Sequence, residues 1–169
     1  MIDTSPFNRR SAEGVLYYVR LKTHGSSRLF ELPESSQPEY AESSVLVSSY
    51  AKIAADELLL SAADHKEITL DQWAIVPDAL HALVCIQNYS MPSLQMGKPR
   101  VLTAFIAGFK AVTAKRINLV RNQPGSPVWQ RSYKEQRMAD SLMLSRLRRR
   151  ISTIDDTVIS SDIRLDKAL

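Results

Sequence analysis

Hydrophobic and polar positions alternate through VLYYVRLKT (15–23). Val15, Tyr17, Val19 and Leu21 fall on one side and Leu16, Tyr18, Arg20 and Lys22 on the other, the period of a strand. HGSS reads as a turn, RLFEL (28–32) as a short second strand, and PESSQPEYAESS as a loop. The period then changes. In SSYAKIAADELLLSA, Ile53, Ala54, Glu57 and Leu58 recur at helical spacing, with Ser48 or Ser49 as the cap. ITLDQWAIV (68–76) and LHALVCIQ (80–87) are strand-like and flank the turn Pro77-Asp78, which predicts a hairpin. On its second arm Ala79, His81, Leu83 and Cys85 share one face, and Leu80, Ala82, Val84 and Ile86 the other.

NYSMPSLQMGKPR reads as a loop. VLTAFIAGFKAVTAKRINLV (101–120) is the clearest helix, with Leu102, Phe105, Ile106, Phe109, Val112 and Ile117 as its apolar stripe, and NQPGSP ends it. VWQRSY is a loop or short extended piece. MADSLMLSRLRRRI (138–151) predicts a second basic helix with Leu144, Leu147 and Ile151 on one face. The order predicts an α+β domain, a mostly antiparallel sheet packed with helices. We expect a basic arm at 1–13, one domain over 14–151, and a polar, weakly patterned tail at 152–169.

The length of 169 residues suits one domain, and 44% hydrophobic with 24% charged residues is an ordinary globular balance. No apolar run approaches the roughly 20 residues of a membrane span, and the N-terminus lacks the apolar stretch of a secretory signal. The single cysteine, Cys85, excludes an internal disulfide and fits a reducing cytoplasm.

Charge changes the picture more. The net value of +4 conceals 7 Lys/Arg against 12 Asp/Glu in residues 1–97 (−5), 13 against 2 in 98–150 (+11), and 2 against 4 in 151–169 (−2). So basic a block points to a polyanionic partner, with a solvated basic face as the plain alternative. Inside the apolar run VPDALHALVCI, His81 stands alone. It is a core histidine, a working site or a remnant of one; a lone histidine on an apolar strand is most often the first. His24 sits in a turn and His65 in a polar, solvated loop.

Three stretches together resemble the REP-associated tyrosine transposases, a branch of the single-tyrosine HUH (IS200-like) transposase family. NRRS (8–11) with YYVRLKTHGSSRLF (17–30) is similar to that branch's opening, LDQWAIVPDALHALVCI (70–86) to its central hairpin, and FKAVTAKRINLVRNQPGSPVWQRSYKE (109–135) to its basic helix and Trp-Gln-Arg segment. The resemblance covers about residues 8–150 and implies a ferredoxin-like HUH transposase fold with a sheet of four to five strands. It also implies an enzyme that cuts and joins hairpin-forming single-stranded DNA, often as a dimer. In the family two histidines at i and i+2 hold a divalent metal, and a helix-borne tyrosine attacks the phosphate to leave a 5′-phosphotyrosine link.

This chain departs from that pattern at both places. Where the family has Pro-Asn, His, an apolar residue and His, it has Pro77, Asp78, Ala79, Leu80 and His81. Arg150 stands where the tyrosine belongs, and residues 134–169 contain no tyrosine. The resemblance therefore implies a domesticated transposase without its chemistry. No cofactor is then expected; Mg²⁺ or Mn²⁺ enters only if activity survives, with His81 and Asp78 as a poor metal pair and Tyr133 as a poor nucleophile. The binding residues it implies are Arg9, Arg10, Lys110, Lys115, Arg116, Trp129, Arg131, Tyr133, Arg146 and Arg149, facing single-stranded or hairpin DNA or RNA, with Trp129 and Tyr133 open to core packing instead. The alternative is recruitment as an accessory subunit that binds a protein partner.

Overall fold

The computed structural model describes residues 14–31, 41–87 and 99–162. The elements are β1 (Gly14–Lys22), a short 3-10 turn (His24–Ser26), α1 (Ala41–Asp64), β2 (Ile68–Val76), β3 (Ala79–Gln87), α2 (Arg100–Val120), β4 (Lys134–Arg137), α3 (Ser141–Ser152) and β5 (Ile159–Ser160). They form one five-stranded sheet in the order β4-β1-β3-β2-β5, with every pairing antiparallel. Strands 1 to 4 with α1 and α2 thus follow the β-α-β-β-α-β ferredoxin-like arrangement, and α3 and β5 are additions to it.

Alternation decides which side each residue serves. One face of the sheet contributes Tyr17, Val19, Leu21, Leu80, Ala82, Val84 and Ile86, and these pack with Leu58 of α1 and Leu102, Phe105 and Phe109 of α2 in the main core. Burying each large side chain contributes about 1.5–3 kcal/mol, so this face dominates stability. The other face carries a smaller cluster of Tyr18, Ala74, Leu83 and Ile151, with Leu144 and Leu147 packed against it. Among the described residues α3 supplies the helical cover there. Its docking gains an ion pair: Arg148 Nε and Nη2 donate to Asp71 Oδ2 at 2.8 and 2.6 Å. Asp71 lies where the β2–β3 register shifts between Leu70 and Trp73, a bulge that re-aims side chains.

α3 starts on a side-chain cap, Asp140 Oδ1 accepting from Met143 N at 2.7 Å. Arg149 and Arg150 in its last turn complement the negative end of the helix dipole. At the start of β1, Gly14 is required by close approach, because a Cβ there would collide with Cys85 Sγ.

Several expectations change. The described part of RLFEL, residues 28–31, is not a strand: Leu29 and Phe30 lie in a turn, and Phe30 is fully buried beneath Trp129 at a ring separation of 5.5 Å. α1 begins at Ala41, so Ser48 and Ser49 fall inside the helix rather than at its start. Val112 is 42% exposed, and Thr113 takes the buried place in the α2 stripe. The polar KEQR segment is an edge strand, and Ile159–Ser160 of the tail pairs with β2. His65 is pinned rather than solvated, its Nδ1 bonded to the Ser61 carbonyl at 2.8 Å and its ring edge-on to Phe105. Among the described residues no helix is long and apolar enough to cross a membrane.

Candidate nucleic-acid interface around His81

The register builds one row across the α3-covered face. Lys134 of β4 lies opposite Arg20 of β1, Arg20 opposite His81 of β3, His81 opposite Ala74 of β2, and Ala74 opposite Ser160 of β5. Directly opposed side chains in an antiparallel pair have Cβ atoms about 4.5–5.5 Å apart, so His81 and Arg20 are neighbours by construction. Tyr18, two residues before Arg20, is on the same face, and its hydroxyl is hydrogen-bonded to His81 Nδ1 at 2.8 Å.

Charge sets the character of the site. Burial first, then Arg20 and Arg150, push the His81 imidazole down to about 4, against a weaker opposite pull from Asp78. His81 is therefore neutral at pH 7. Burial also raises the Tyr18 phenol, outweighing Arg20 and Arg150, so Tyr18 keeps its proton. When that proton is donated to Nδ1, Nε2 bears the ring hydrogen and is itself a donor.

The site does not fit the divalent metal that the sequence resemblance implies. Ala79 is fully buried, with a methyl group where a second imidazole would stand. The charges that act most strongly on His81 are two guanidinium groups. Asp78 sits in the β2–β3 turn, where its carbonyl accepts from Thr23 N at 2.9 Å and Thr23 Oγ1 at 3.1 Å. A hard cation needs several oxygen ligands, and its own charge would oppose these arginines.

A cleft of about 370 Å³ opens between the β1–β4 edge and α3, lined by Tyr18 and Arg20, the neighbours of His81, with Lys134, Arg146, Arg150 and the apolar Leu142, Met143 and Leu147; His81 lies behind it and does not line it. A second cleft of about 290 Å³ shares Arg20 and Lys134 and adds Lys22, Gln130, Ser132 and Tyr133. Arg20 joins the two, and its Nε is buried with no hydrogen-bond partner among the described residues. Tyr18, Arg20, Lys22 and Lys134 carry no binding motif in the sequence. Strand alternation had already placed the first three on one face; only the pairing with β4 and β3 assembles the group.

The expected binding residues separate by what already occupies them. Arg146 and Arg150 line the first cleft; Arg149 is exposed but does not line it. Lys115 and Arg131 are exposed. Lys110 is committed: its Nζ donates to the Gln130 and Arg131 carbonyls at 2.6 and 3.0 Å, clipping the Trp-Gln-Arg segment to α2, and burial lowers its pKa. Arg116 is paired with the buried Glu57. Trp129 belongs to the core: it is 7% exposed, its ring packs on Phe30 and Phe109, and Nε1 donates to Thr113 Oγ1 at 2.8 Å. Tyr133 is half-buried against the main core, and burial raises its phenol, which suits neither a nucleophile nor a free stacking platform. Arg9 and Arg10 lie outside the described residues.

No protein-family model matches this chain. No curated protein matches it either. Among solved structures it is similar to a REP-associated tyrosine transposase bound to a REP hairpin, at 8% identity and a TM-score of 0.46, over 82% of this chain and 65% of that one. It is also similar to a candidate transposase from Deinococcus radiodurans R1, at 15% identity and a TM-score of 0.46, over 90% of this chain and 96% of that one. The chain thus spans just under two thirds of the length of the first of these structures.

Proposed function

We propose that this protein is a transposase-like, catalytically inactive binder of single-stranded or hairpin nucleic acid. The observation that carries the reading is the row Lys134–Arg20–His81, where cations flank the surviving histidine position and open into a cleft with Arg146 and Arg150. Metal-assisted tyrosine attack calls for a cation site and an accessible phenol; this arrangement offers a neutral imidazole, two nearby guanidinium groups and a buried tyrosine. It suits phosphate oxygens instead. The +11 balance of residues 98–150 supports the same partner. The motifs that resemble the REP-associated branch support a hairpin or single strand over duplex.

Two assays on the full chain test this. A gel shift with hairpin, single-stranded and duplex forms of one sequence is expected to favour the first two. Incubation with labelled hairpin DNA and Mn²⁺ is expected to give no nicking and no covalent adduct. Equal or absent retention of all three forms contradicts the binding claim, and an adduct contradicts the claim of inactivity.

A second reading, an accessory subunit docking on another protein, is favoured by the apolar residues exposed on α2, Leu119 at 81% and Val112 at 42%. It predicts a stoichiometric protein partner that survives nuclease treatment during purification, and fails if none is recovered.

A further inference from the structure

We propose that the cleft beside His81 is a strand-end pocket: Arg20, Arg146 and Arg150, with Lys134 beside them, hold a terminal phosphate monoester of a nucleic-acid strand without a divalent metal. The inference rests on the nucleic-acid reading above and gives it a place and a ligand group.

Four lines of geometry converge. The first is charge. Among the described residues four cationic side chains line the cleft against one carboxylate, Asp140, and that carboxylate is occupied in capping α3. An internal phosphodiester brings a single negative charge, whereas a phosphate monoester brings about −1.5 to −2 at neutral pH and three acceptor oxygens. The excess of cation matches the monoester better.

The second is an unused donor. Arg20 Nε is buried with no hydrogen-bond partner among the described residues, and its side chain lines both clefts. A guanidinium fork is shaped for paired phosphate oxygens, and the Arg20 side chain presents it to both clefts without Nε being held by a protein acceptor.

The third is how the arginines are placed. Arg146 and Arg150 are four residues apart on α3, so they stand one turn apart on the face that meets the cleft. Arg148 is held away by Asp71, which fixes the rotation of the helix and keeps the other two aimed inward.

The fourth is the surroundings. Leu142, 60% exposed, and Met143, 37% exposed, form an apolar wall beside the cations, a surface for the sugar or base of the terminal nucleotide. The cleft volume lies within the range of small-ligand pockets. The second cleft, sharing Arg20 and Lys134, provides a route for the rest of the strand past Lys22 and Tyr133.

Fluorescence anisotropy on the full chain in EDTA tests the pocket. The probes are single strands of one sequence, as DNA and as RNA, carrying a 5′-phosphate, a 3′-phosphate or hydroxyls at both ends. One phosphorylated end is expected to bind about tenfold tighter than the hydroxyl ends, the scale of a charged hydrogen bond. Arg150→Gln, at the exposed end of α3, and Arg20→Gln, in the sheet, should each bring that ratio close to one; the α3 variant keeps the test valid if the sheet variant folds poorly. Equal affinity for all ends overturns the pocket and leaves nucleic-acid binding standing. Failure to bind any strand overturns both.

Discussion

Arg20 and His81 stand directly opposite one another on β1 and β3, so the guanidinium and the imidazole occupy one face of the sheet side by side. The positive neighbour is part of why His81 stays neutral, and Arg150 from α3 adds to it. Arg150→Gln removes one of those charges without touching the sheet. The His81 ring, followed by NMR titration, should then titrate at higher pH than in the parent, where it is held to about 4. An unchanged midpoint would mean that α3 does not act on His81.

The same depression links His81 to stability. In the unfolded chain the ring titrates near its ordinary value of about 6.5, and in the fold near 4. Above about pH 6.5 both states are neutral, and the group contributes no pH dependence. Below it the unfolded chain takes up the proton first, so stability falls between about pH 6.5 and 4, by up to roughly 2–3 kcal/mol. His81→Gln should lose less stability than the parent over that window in urea unfolding at pH 7.5 and 4.5. Parallel losses in the two proteins would contradict this.

Trp129 supports the fold rather than a stacked base. Trp129→Ala empties a core site and should cost about 3–5 kcal/mol. Trp129→Phe keeps most of the volume but leaves Thr113 Oγ1 without its indole donor, for about 1–2 kcal/mol. Thermal or urea unfolding reads both. With Trp129→Phe, nucleic-acid affinity per folded molecule should stay within error; a clear loss would return the ring to the interface.

Arg148 and Asp71 fasten α3 to the smaller face of the sheet. The Asp71 side chain is 10% exposed and Arg148 35%, so Arg148→Ala strands a largely buried carboxylate. We expect a loss of about 2 kcal/mol, less than for a fully buried pair because Arg148 is partly solvated. Asp71→Leu combined with Arg148→Met should recover most of it. Limited proteolysis should cut the single variant first near α3; a cut rate equal to the parent's would show that the pair does not fasten the helix.

Much of this was legible in the sequence, and the failures have physical causes. Strict alternation in LHALVCIQ fixed both faces of β3, because one face is sealed by the main core and the other by α3. Thr113 continues the α2 stripe one turn after Phe109, yet the neighbouring Val112 looked the better core residue because the bond from Trp129 that lets a threonine be buried comes from sixteen residues away. KEQR carries no apolar signal, since an edge strand needs only one partner and its residues are exposed or half-buried. Phe30 and Leu29 looked like strand because they are apolar, yet they plug the core from a turn. At the site, Ala79, His81 and Arg150 could be singled out from the chain alone. Tyr18, Arg20 and Lys134 could not be joined to them without the strand order β4-β1-β3. Lys110, Arg116 and Trp129 read as binding residues because sequence shows charge and aromaticity but not the carbonyls, carboxylate and hydroxyl that occupy them.

The most direct measurement is the salt dependence of single-strand binding in EDTA, for the parent and for Arg146→Gln. The account predicts binding without divalent metal and a linear fall of log affinity with log salt, with a slope of about −0.7 for each neutralised phosphate. Arg146→Gln should make that slope shallower by roughly one such contact, while Lys110→Met, whose ammonium is spent on carbonyls, should weaken the fold and leave the slope unchanged. Binding that needs Mg²⁺ or Mn²⁺, or that ignores salt, would contradict the conclusion that the His81 region is an anion site.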